Sequence, residues 1–164
     1  MTLDPELVEL ASQVVEANRK AGRRITTAES CTGGLVAAAL TEIPGASEIL
    51  GRAFVVYSNE AKTEVLGVSE DILSTLGAVS EATAWAMAQG ALNSSRADVA
   101  VAISGIAGPG GGSEKKPVGT VVFARALRGA DRGPVVADTH HFGDLGRSEI
   151  RRQAALVALR LLLP

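Results

Sequence analysis

The sequence predicts an α/β protein, a three-layer α/β/α sandwich with a mixed, mostly parallel sheet. Three observations lead there. Short apolar runs alternate with stretches whose apolar residues recur at helical spacing, the pattern of strands feeding helices. One run, Asp98 to Ser104, is continuously apolar between its two end residues, as a strand covered on both faces is. Two strand-like segments near the end, Gly119–Leu127 and Val135–Phe142, are joined by a turn-forming linker, Arg128–Pro134, so at least one pair is antiparallel.

In chain order, Asp4-Pro5 reads as an N-cap followed by proline at the first helical position. Leu7, Leu10, Ala11, Val14 and Val15 continue at helical spacing until Gly22 stops the helix. A strand follows at 25–28 and a helix at about 34–42. Ala53–Tyr57 reads as a buried strand, with a helix from about Asn59 to Leu66. Ser69 and Ser80 cap two more helices separated by Gly77, the second running to about Ser95. After the central run comes a glycine-crowded loop, 105–113, then the two late strands and a closing helix from about Arg147 to Leu163. No repeat or linker breaks the chain, so residues 1–164 read as one domain.

Composition narrows the function. A formal net charge of −2 without a long basic run argues against a nucleic-acid surface, and 3% aromatics leave few rings for stacking bases. No apolar run reaches the length of a membrane span, and the N-terminus lacks a signal-peptide pattern. The single cysteine, Cys31, excludes an internal disulfide framework and fits a reducing compartment. These observations predict a soluble cytoplasmic protein.

The chemistry concentrates at three strand ends. At 28–34 a strand closes in Glu-Ser-Cys-Thr-Gly-Gly just before a helix, which puts Ser30 and Cys31 beside the unpaired amides of a helix start. There the amides of Thr32, Gly33 and Gly34 can hold an oxyanion. The plainer alternative is a serine cap and a glycine turn. Cys31 competes with Ser30 as nucleophile, because a thiol at a helix start has a lowered pKa.

A serine needs a base. His140 and His141 are adjacent on a strand and point to opposite faces, so they cannot both serve one site. Lys62, in the first turn beyond Tyr57-Ser58-Asn59, is the better candidate. An ordinary lysine is neutral only about once in 2,500 molecules at pH 7, and tuning it for base catalysis costs on the order of 4 kcal/mol. Desolvation must supply most of that, unless Lys62 is simply a surface residue.

The third feature, Ser104 followed by Gly105, Gly108, Gly111, Gly112 and Ser113, can cradle a phosphate with backbone amides or be a plain surface loop. It lacks the Walker ending and the dinucleotide fingerprint. If the strands run parallel, all three features meet at one sheet edge, where ligands of open α/β sheets collect.

Taken together, 28–35 (AESCTGGL), 57–62 (YSNEAK), 77–81 (GAVSE), 104–121 (SGIAGPGGGSEKKPVGTV) and 142–151 (FGDLGRSEIR) resemble the nicotinamide-nucleotide amidases, the family of the CinA C-terminal domain. The likeness runs from about residue 5 to 162 and implies the stand-alone form of the domain. It implies a three-layer sandwich, no cofactor or metal, and hydrolysis of the carboxamide of nicotinamide mononucleotide to nicotinic acid mononucleotide and ammonia. By the same resemblance Ser30 is the nucleophile, Lys62 its base, and Tyr57 completes the catalytic group. Cys31, Asn59, Ser104, the loop glycines, Ser113, Lys116 and Arg147 are the candidate contacts to the substrate. A homo-oligomer is also implied. The competing function is a nucleotide-sensing or protein-interaction domain, of the kind tied to competence or DNA damage, that binds without turnover.

Overall fold

The computed structural model describes residues 2–129 and 136–164. In chain order the elements are α1 (Pro5–Ala21), β1 (Ile25–Glu29), α2 (Leu35–Thr41), a 3-10 turn (Ala46–Glu48), β2 (Phe54–Val55), α3 (Asn59–Leu66), α4 (Glu70–Leu76), α5 (Glu81–Asn93), β3 (Val99–Gly105), β4 (Thr120–Leu127), β5 (Val136–His141) and α6 (Arg147–Leu161). The sheet order is β2-β1-β3-β4-β5. β1 pairs parallel with β2 and β3, while β3–β4 and β4–β5 are antiparallel. Only β4 therefore runs against the other strands.

The helix starts are written locally. The Asp4 side chain accepts from the amides of Glu6 and Leu7. Ser58, Ser69 and Ser80 cap α3, α4 and α5 in the same way. Gly22 closes α1 in the left-handed region.

Side-chain alternation along β3 sorts the core into two layers. Val99, Val101 and Ile103 join the buried faces of α1, α2 and α6. Ala100 and Ala102 face the other way, among Met87, Ala88 and Ala91 of α5. The small residues on that side bring α5 close. At Gly90 a Cβ would stand only 2.0 Å from the Leu66 carbonyl oxygen. Burial of this mainly aliphatic interior supplies the driving force for the fold.

β3 (Val99–Gly105) is the central strand that the apolar run Asp98–Ser104 predicts, and the antiparallel pair lies where expected. Residues 130–134 of the expected hairpin linker, and Val135, lie outside the described residues. The segment Ala53–Tyr57 differs from expectation. Only Phe54 and Val55 form strand, at the sheet's edge, and Val55 is exposed. The Val56 amide still donates to the Glu29 carbonyl, but the Val56 and Tyr57 carbonyls turn to the Lys62 side chain. The strand stops where the site begins.

Candidate active site

Because β1, β2 and β3 are parallel, the three chemistry-bearing segments meet beyond their carboxyl ends, around a cleft of about 250 Å³. Ser30 and Cys31 line it from the end of β1, Tyr57, Asn59 and Lys62 from the β2–α3 junction. Ser104, Gly105, Gly108, Gly111 and Arg147 are among the residues that line the rest of it.

Lys62 is 1% exposed, which excludes the surface reading. Its Nζ lies 3.1 Å from Ser30 Oγ and 3.1 Å from each of the Val56 and Tyr57 carbonyl oxygens. Burial pushes its pKa below the ordinary value of 10.5, and no carboxylate counters that shift. The two carbonyls can only accept, whereas the serine hydroxyl can also donate. Nζ donates to all three oxygens as an ammonium, and the Ser30 hydroxyl lies 3.5 Å from the Tyr57 carbonyl; a neutral Lys62 can give two N–H groups to the carbonyls and turn its lone pair to Ser30 Oγ.

Glu29 explains why the neighbouring acid leaves this amine alone. It is fully buried, and its two carboxyl oxygens accept from the amides of Val36 (2.9 Å) and Ala37 (3.1 Å). The first turn of α2 is capped from the strand behind it, by the residue just before Ser30. Glu29→Gln turns an NH₂ toward one of these amides and leaves it without an acceptor. The expected cost is about 2–3 kcal/mol, a fall of roughly 4–12 °C in melting temperature, read by circular dichroism. An unchanged melting point would remove Glu29 from this role.

The turn between β1 and α2 needs its glycine pair. Gly33 and Gly34 both have positive φ, 59° and 94°. The Gly33 amide donates to the Ser30 carbonyl at 3.0 Å, and that of Leu35 to the Thr32 carbonyl at 3.0 Å. Arg151 of α6 reaches under the same turn: its Nε donates to the Cys31 carbonyl (3.0 Å) and its Nη2 to the Thr32 carbonyl (3.1 Å). Cys31 is 5% exposed, and burial pushes its thiol up to about 11. The lowered thiol expected of a helix start is absent because burial outweighs every group that would stabilise a thiolate there, and the α2 amides of Val36 and Ala37 go to Glu29.

Two results of comparison with known proteins decide the affiliation. The family model of the CinA C-terminal domain matches residues 7–164. The nicotinamide-nucleotide amidohydrolase PncC of Escherichia coli K12 is 52% identical over 160 residues, covering 97% of this chain and 94% of that protein. The chain belongs to the CinA C-terminal domain family. A CinA-like protein of Mycobacterium leprae is 52% identical over 146 residues, 89% of this chain but 33% of its own length. The crystal structure of the competence/damage inducible protein CihA from Agrobacterium tumefaciens superposes with a TM-score of 0.93 at 50% identity, covering 99% of this chain and 97% of that one.

Within this CinA domain the expected site residues separate into two groups. Ser30, Lys62, Tyr57, Asn59, Cys31, Ser104, Gly105, Gly108, Gly111 and Arg147 come together at the cleft. Gly112, Ser113 and Lys116 do not. The Ser113 and Lys116 main chains close a turn on each other, and Lys116 Nζ donates to the Leu76 carbonyl at 2.8 Å. The Lys116 ammonium thus ties the loop to the end of α4, and the Ser113 hydroxyl accepts from the Lys116 amide. Among the three oxyanion candidates, the Gly33 amide is engaged with Ser30, and the freer donors are those of Thr32 and Gly34.

The Tyr57 phenol also departs from expectation. It accepts from Arg147 Nη2 at 3.0 Å, and its ring is 62% exposed, so its hydroxyl is not a bridge between Ser30 and Lys62. What Tyr57 lends the pair is its carbonyl. Arg147 Nη1 also donates to the Gly108 carbonyl, at 2.6 Å, tying the glycine loop to the tyrosine. Sequence reasoning missed Ala78 and Val79, which line the cleft beside Ser104. The Ser104 hydroxyl donates to the Ala78 carbonyl at 2.8 Å, and only the position of that segment in a shared motif signalled it. The histidines lie on β5, where His140 packs against Phe123 and Phe142 and His141 meets Thr120. Among the described residues no group of three His, Cys, Asp or Glu is placed to hold a metal, and no helix is long and apolar enough to cross a membrane.

Proposed function

We propose that this protein is a cytoplasmic amidase that hydrolyses the carboxamide of nicotinamide mononucleotide, with Ser30 as nucleophile and Lys62 as general base. The observation that carries the mechanism is the buried Lys62 Nζ at 3.1 Å from Ser30 Oγ, at the cleft wall. The substrate follows from the identity to PncC proteins and the resemblance of the motifs.

Neutral Lys62 takes the Ser30 proton as Oγ bonds to the carboxamide carbon, and the carbonyl π pair moves to oxygen. Loop amides hold that oxyanion. On collapse the C–N bond breaks, and the Lys62 ammonium gives its proton to the departing nitrogen, releasing ammonia. Water then attacks the acyl-serine with Lys62 again as base. Cleavage of the ester returns Ser30 and frees the pyridine carboxylate. Arg147, with the glycine loop amides, provides cationic and N–H donors for the nucleotide's phosphate.

The test is incubation of the purified protein with nicotinamide mononucleotide, measuring ammonia and nicotinic acid mononucleotide. Stoichiometric release of both is the expected result. Calorimetric binding of the nucleotide without release would overturn catalysis in favour of a sensor. Light scattering tests the associated expectation of a homo-oligomer.

A further inference from the structure

We infer that Arg151 is a positioning residue for the oxyanion, holding the two peptide planes on either side of Thr32 so that the Thr32 N–H is presented to the reacting carbonyl. The inference rests on the serine-amidase reading. Its grounds are separate: they lie in the turn that follows the nucleophile.

The carbonyl of one residue and the N–H of the next share a rigid plane and point in opposite directions. Arg151 Nε fixes the Cys31 carbonyl, so the Thr32 N–H must point away from α6. Arg151 Nη2 fixes the Thr32 carbonyl, and the Gly33 N–H indeed points the other way, to the Ser30 carbonyl at 3.0 Å. A planar guanidinium can grip two successive carbonyls at once, and a lysine ammonium cannot reproduce that fork.

The turn also leaves donors unused: the N–H groups of Cys31, Thr32 and Gly34 meet no acceptor among the described residues. Of the three, Thr32 is fully buried. Its hydroxyl is likewise buried without a partner. Buried amides are rarely left unpaired, so an open donor two residues beyond the nucleophile marks a place kept for a ligand oxygen. The guanidinium behind the two carbonyls polarises both peptides in the sense that strengthens their N–H groups as donors.

The alternative is that Arg151 only staples α6 to the turn. Kinetics separate the two. Arg151→Met keeps the bulk of the aliphatic stem and removes the fork. The expected result with nicotinamide mononucleotide is a kcat about 10²-fold lower with KM within about threefold. Arg151→Lys recovers part of that kcat. A kcat within about twofold of wild type in Arg151→Met overturns the inference, as does a loss that follows KM alone.

A second measurement keeps this distinct from the choice of substrate. A fluorophosphonate forms a bond from Ser30 Oγ to phosphorus as fluoride leaves, and mass spectrometry locates the adduct. Ser30 of wild type is expected to be labelled about 10²-fold faster than in Arg151→Met. Equal labelling rates at matched melting temperatures overturn the positioning role. If wild type labels fast but releases no ammonia from the nucleotide, the substrate reading fails while the Arg151 result stands.

Discussion

Ser30→Ala is expected to lower turnover of nicotinamide mononucleotide by on the order of 10⁴–10⁶-fold, while calorimetry finds its affinity for the nucleotide within about threefold of wild type. The substitution removes one oxygen from the wall of the cleft, where Ser30 is 6% exposed, and leaves Lys62, Arg147 and the glycine loop in place. Binding persists because those groups remain, and chemistry stops because no atom is left to carry the acyl group. Cys31 is the control. With its thiol pushed up to about 11, only about one molecule in 10⁴ carries a thiolate at pH 7. Its side chain packs with Val36, Ala39 and Leu40 in the apolar layer. Cys31→Ala is therefore expected to keep turnover within a fewfold. Turnover that survives Ser30→Ala and vanishes in Cys31→Ala would make sulfur the nucleophile.

The two residues show where sequence legibility ends. That Ser30 stands at a strand's end before a helix was readable, because apolar periodicity, the glycine pair and strand order are all local signals. The central position of Asp98–Ser104 and the caps at Asp4, Ser69 and Ser80 were readable for the same reason. The state of Cys31 was not. Its pKa is set by burial among side chains distant in sequence, while the α2 amides of Val36 and Ala37 go to Glu29, whose side chain reaches past Ser30 to them. Arg151 was hidden for a related reason: it lies 119 residues from the carbonyl of Thr32 that it holds. What each part of Tyr57 touches was not readable either, because backbone direction hands its carbonyl to Lys62 and its hydroxyl to Arg147. Local pattern locates a site; long-range hydrogen bonds decide each residue's role within it.

Lys62→Met is expected to cost on the order of 10³–10⁵-fold in turnover and to abolish the pH limb that lysine imposes. The sign follows from which form is active. Only the neutral amine accepts the Ser30 proton, so wild-type kcat/KM falls as pH drops through the Lys62 pKa, and burial places that limb below the ordinary 10.5. The same shift acts on stability in the opposite sense from a salt bridge. Between the lowered folded value and the ordinary unfolded one, the unfolded chain binds more protons, so stability rises with pH across that window. Removing the amine removes this penalty but leaves the Val56 and Tyr57 carbonyls without their donor. The variant is accordingly expected to remain folded by circular dichroism, with its melting temperature less pH-dependent than that of wild type on the alkaline side. Ser30 and Lys62 act as one unit, so the Ser30→Ala, Lys62→Met double variant is expected to be no slower than the more damaging single. Losses that instead multiply, or a Lys62→Met enzyme that keeps the wild-type pH limb, would place the base on another group.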